Sequence, residues 1–145
     1  MDNSLHVNFG TPKHGWLPVD LKHQTFHLAF EASDVLNDPI GELYNTLVAL
    51  QENKSGQVTW WLEPGAYFFR FEQHGMEIRL IISETENLNN DQAARRIIQT
   101  ISGSSRQIIE PFRKALAQFC SQTFEEDQWP YNLDKRKIEK LFVDK

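Results

Sequence analysis

Residues 58–83, VTWWLEPGAYFFRFEQHGMEIRLIIS, constrain this chain more than any other stretch. Apolar and polar side chains alternate within three short runs, 58–62, 67–72 and 77–83, and a turn sequence separates each from the next. Alternation with period two is the pattern of a strand with two different faces. Tyr67, Phe69 and Phe71 point one way, and Phe68, Arg70 and Glu72 the other. Glu63-Pro64-Gly65-Ala66 reads as a turn with Pro presetting φ at the first central position and Gly supplying a positive φ at the second. Gln73-His74-Gly75-Met76 offers a second such turn. The expectation is a three-stranded antiparallel meander. Trp60 and Trp61 are neighbours in one strand and must face opposite sides of it, so both faces of the meander carry large apolar groups.

The flanking sequence extends this unit. Residues 1–13, with a Gly-Thr-Pro break, read as a mobile tail. Residues 16–21 and 25–32 form a hairpin with Phe26, Leu28 and Phe30 toward the core. Pro18 has no N–H to donate, which places the first of these strands at a sheet edge or a bulge. Asp38 is a good N-cap and Pro39 suits the first helical position. Ile40, Leu43, Tyr44, Leu47 and Leu50 then recur at helical spacing, with Glu42 complementing the dipole in the first turn. Beyond the meander, Asn87 to Asn90 read as a loop. Ala94, Ile97, Ile98 and Ile101 begin a helical stripe, which Ile108, Phe112, Leu116 and Phe119 continue across Gly103-Ser104-Ser105. Residues 91–122 are therefore expected as two helices or as one kinked at Pro111. A short helix over 133–142 closes the chain. The sum is one α+β domain over residues 1–145: an antiparallel sheet of about five strands in ββαβββ order, with a crossover helix and C-terminal helices packed on it.

Composition narrows the function. No apolar run approaches the ~18–20 residues of a membrane span, and MDNSLHVNFG has neither a basic nor an apolar leader region. The lone Cys120 has no partner for a disulfide. These features predict a cytoplasmic chain. The net charge of −5 is uneven: residues 1–88 carry 12 acidic against 5 basic side chains, and residues 89–145 carry 8 against 10. An acidic sheet half argues against nucleic acid, which needs clustered Lys and Arg, and favours a cationic protein partner.

Catalytic signatures are missing. There is no GxGxxG, P-loop, CxxC, HExxH or nucleophile elbow, so no catalytic residue, cofactor or metal is expected. His23 and His27 lie four apart on a hairpin, ~13 Å along an extended strand, and with His14 and His74 they read as surface histidines. Cys120 reads as a buried, inert thiol beside Phe119. The carboxylate of Glu63 paired with Glu42 or Asp38 is the one acid–base arrangement a small enzyme would use here. Otherwise the meander's second face is either covered core or an exposed aromatic patch rimmed by acids such as Glu31. In the latter case the expected contact surface is Asp34, Asp38, Glu63, Glu72 and Glu77 with Trp61 and Tyr67. A homodimer built on that face is a further possibility.

His14-Gly15-Trp16-Leu17-Pro18-Val19, Ala32-Ser33-Asp34-Val35 with Asn37-Asp38-Pro39, and Trp60-Trp61-Leu62-Glu63-Pro64 followed by Tyr67-Phe68 resemble a family of small bacterial proteins of unassigned activity. In size, acidity and layout the chain is also similar to the immunity proteins that neutralise toxin domains in bacterial competition. That second resemblance implies occlusion: an acidic surface seated over the cationic cleft of a nuclease-type toxin.

Overall fold

The computed structural model describes residues 4–86, 95–131, 133 and 135–141. It is α+β and antiparallel, in two sheets. Strands β1 (Leu5–Phe9), β2 (Trp16–His23) and β3 (Phe26–Ser33) form one sheet in that order. Helix α1 (Pro39–Gln51) leads to the second, β4 (Gly56–Trp61), β5 (Ala66–His74), β6 (Glu77–Thr85) and β7 (Arg96–Gly103), again in sequence order. Helices α2 (Ser105–Cys120) and α3 (Lys135–Glu139) follow. The meander is as expected, but the ββαβββ order with about five strands is corrected to seven strands in two sheets among the described residues.

Two segments account for the extra strands. Residues expected as a mobile tail contain β1, where Leu5 and Val7 are buried and alternate with exposed His6 and Asn8. The stripe expected to begin a helix is β7, whose paired partner is β6. A bulge opposite Ile82 and Ser83 inserts Ile98 as an extra residue, so Ile97 and Ile98 interrupt the alternation that would have marked a strand. The Gly103-Ser104-Ser105 break therefore separates strand from helix. Ser104 caps α2, with Ser104 Oγ accepting from Gln107 N and Gln107 Oε1 accepting from Ser104 N in a capping box. Helix α2 runs unbroken across Pro111. The closing helix spans only Lys135–Glu139; Ala94, Phe142 and the loop at 87–90 lie outside the described residues.

Pro18 sits in a central strand, contrary to the edge position expected. The register explains how. Gly10 N donates to Pro18 O at 2.9 Å, so even-numbered β2 residues face β1 and odd-numbered ones bond β3. The missing N–H of Pro18 thus falls just past the end of β1, and the ladder to β3 keeps all its donors.

The core lies between the sheets and under α1 and α2. An aromatic cluster joins the two sheets: Phe30 of β3 stacks within 4.7–6.2 Å of Tyr67, Trp60 and Phe69. Phe112 of α2 closes it edge-on against Phe71 at 5.0 Å. Ile40, Leu43, Leu47 and Leu50 of α1 are all buried here, as the helical spacing predicts.

Candidate functional site

The segments HGWLP, SDVLNDP and WWLEP converge at one end of the molecule. Lys13 and Trp16 bond one another across a two-residue turn in which His14 (φ 53°) and Gly15 (φ 81°) both take positive φ, the geometry of a type I′ hairpin. The positive φ favours glycine at position 15, and a Cβ there would push the Asp34 carboxylate aside. Gly15 O accepts from Asp34 N at 2.9 Å, and Gly15 N donates to Gln128 O at 2.8 Å. The Tyr131 hydroxyl donates to Asp34 O at 2.5 Å. The turn, the end of β3 and the loop after α2 are thereby tied together.

The loop from β3 into α1 is clamped at its other end too. Asp38 N-caps α1, its Oδ1 accepting from Gly41 N at 3.0 Å. Burial pushes the Asp38 carboxyl above its ordinary range, and the Gly41 bond opposes the shift. Asn37 Nδ2 donates to Thr59 O at 2.8 Å and to Glu42 Oε2 at 2.9 Å, while Glu42 Oε1 accepts from Thr59 N at 2.9 Å. This network staples the start of α1 to the end of β4.

Between the clamps stand Val35 and Leu36, 67 % and 59 % exposed. Val35 N donates to Ser33 Oγ at 3.1 Å, so the backbone is held while the two apolar side chains face solvent. These residues were missed as site candidates. The available signal was an apolar pair lying between Asp34 and the N-cap Asp38 and belonging to neither flanking periodic stretch.

The expected contact residues fall in separate places. Asp34, Asp38 and Glu63 lie at the clamped end, Glu63 being in the turn that follows β4. That turn differs from expectation: the Glu63–Pro64 bond is cis, Glu63 itself takes φ 52°, and Gly65 is needed because a Cβ would meet Thr85 O at 2.8 Å. Trp61 is at the same end but covered, 5 % exposed, in a small cluster with Ala66 and Phe68. Arg95 lies over the Phe68 ring at 3.7 Å. Tyr67 is half-buried against Phe30 at 4.7 Å, and burial with the nearby Glu84 charge raises its hydroxyl pKa. Glu72 and Glu77 sit at the far tip of the β5–β6 hairpin and are already paired. Arg70 (2.9 Å) and His74 (3.0 Å) hold Glu72, lowering its carboxyl pKa, and Arg79 lies 3.5 Å from Glu77.

One further reading changes. His23, expected on the surface, is 7 % exposed, on the core face of β2. His27 is paired with Asp20 at 2.6 Å across the open face of the three-stranded sheet. Cys120 is half-buried, and burial pushes its thiol up to about 11. Among the described residues no group of three or more His, Cys, Asp or Glu is placed to hold a metal ion, and no helix is long and apolar enough to cross a membrane. Compared with protein-family models, with curated proteins and with solved structures, the chain matches none.

Proposed function

We propose that this chain is a non-enzymatic binding protein of the immunity type, acting in the cytosol by seating its clamped end over the cationic cleft of a nuclease-type toxin domain. The observation that carries the reading is the Val35–Leu36 pair, exposed at the centre of a loop hydrogen-bonded at both ends. A loop already held in one conformation loses little entropy on docking. Its two apolar side chains supply a water-excluding centre, and the adjacent Asp34 carboxylate attracts a basic surface and speeds encounter. The acid–base alternative is less well supported by the same geometry. Both Glu42 oxygens and one Asp38 oxygen are occupied in fixing α1, and among the described residues Glu63 has no second carboxylate bonded to it at its turn.

The test is co-expression of the tagged chain with the products of the genes beside its own, followed by purification through a salt wash. The expected result is one stoichiometric basic protein whose toxic activity is suppressed in the complex. Recovery of the chain alone would overturn the reading.

A further inference from the structure

The opposite side of the three-stranded sheet carries a second, independent feature. Among the described residues strand β1 pairs only with β2, which makes it an edge strand. Its even-numbered residues bond β2, as the Gly10–Pro18 bond shows, so the N–H and C=O groups of Leu5, Val7 and Phe9 point away from the sheet. Among the described residues none of these groups has a hydrogen-bond partner. Edge strands of this kind are usually blunted by charge, proline or a covering element. Here α2 runs alongside and leaves a groove of about 540 Å³ between itself and the strand, lined by β1 and by Arg106, Gln107, Lys114 and Gln118.

The charges in this groove are sorted. Its one carboxylate on α2, Glu110, is held by Arg113 through bonds of 2.5–3.0 Å. Arg106 and Lys114 flank it, both exposed; among the described residues neither forms an ion pair, and after the Arg113 bond their charges help hold the Glu110 carboxyl pKa low. The groove therefore presents, among the described residues, a row of unpaired backbone groups on one wall and exposed cationic side chains on the other. The geometry points to a binding site for an extended, acidic peptide segment of a partner protein, which adds as a fourth strand beside β1 and places carboxylates against Arg106 and Lys114. Strand addition of this type draws affinity from main-chain bonds and specificity from alternate side chains; three outward residues offer up to about six main-chain bonds. A second copy's β1, Leu5-His6-Val7-Asn8-Phe9, fits less well because it carries no carboxylate to set against Arg106 and Lys114. The site lies away from the Val35–Leu36 loop and does not rest on the reading given above.

A displayed library of random dodecapeptides panned against the full chain tests this. Enriched peptides are expected to be acidic, to bind Arg106→Glu/Lys114→Glu at least tenfold more weakly, and to protect the Leu5, Val7 and Phe9 amides from hydrogen exchange. N-methylating the peptide's alternate amides in one phase should abolish binding, and in the other phase leave it intact, since only every second amide faces β1. Circular dichroism and thermal melting confirm that the double variant folds. No enrichment, charge-blind binders, or equal tolerance of methylation in both phases would overturn the proposal. So would protection of the same three amides by concentration-dependent dimerisation of the chain alone.

Discussion

Trp61 and Leu36 lie at the same end of the molecule, and their roles are the reverse of what side-chain size suggests. Trp61, with Ala66 and Phe68, forms a second buried cluster on the outer face of the four-stranded sheet, under the Arg95 guanidinium. Leu36 and Val35 are smaller and belong to no cluster, yet like Met76 and Ile97 they remain in water, here on a loop whose backbone is held at both ends. The lesson is that an aromatic pair in a strand reports sheet faces, whereas a short apolar pair just before a helix cap reports a surface. The first stabilises the fold, and the second is available for binding.

Substitutions separate the two. Phe68→Ala should cost about 3–5 kcal/mol of stability, the range for emptying a buried aromatic site, read by chemical denaturation. A loss under 1 kcal/mol would mean that the outer cluster is not core. Asn37→Ala removes the side chain that links α1 to β4 and leaves Thr59 O and Glu42 short of a donor. About 1–3 kcal/mol is expected, together with faster amide exchange at Val35 and Leu36. Asp38→Ala should lose about 1 kcal/mol with the N-cap, while Asp38→Asn keeps the cap and the stability. The sign of the pH effect follows from the raised folded-state pKa of Asp38, caused mainly by burial. Its contribution is complete below the ordinary value of 3.8 and is lost as pH rises through the raised one, so Asp38→Asn should flatten that part of the stability–pH curve. The smallest effect on folding is expected from Val35→Ser/Leu36→Ser, within about 0.5 kcal/mol of the parent chain. A large destabilisation there would erase the contrast.

Much of the fold was legible because local chemistry and tertiary need agreed. The meander, the opposed faces of Trp60 and Trp61, and the Asp38-Pro39 start of α1 all follow from alternation, capping and backbone constraint. The failures occurred where two patterns overlap. Ile97, Ile98 and Ile101 fit a helical stripe only because the bulge adds Ile98 to the strand, although β-branched isoleucines favour strands. In β1 the alternation covers only three apolar positions, and the Gly-Thr-Pro that follows reads equally as the end of a tail. Of the candidate site, the carboxylates at the clamped end were legible from their capping and turn positions. The pairing of Glu72 and Glu77 by Arg and His depends on strand register, which composition alone does not convey.

The central claim is that the Val35–Leu36 loop is the contact surface for a basic protein. Calorimetric titration of the co-purified partner into the parent chain and into Val35→Ser/Leu36→Ser, at two salt concentrations, tests it most directly. The account predicts at least a hundredfold loss of affinity in the double variant, with its melting temperature unchanged, and weaker binding of the parent at the higher salt. Equal affinity of the two chains, or binding indifferent to salt, would contradict it.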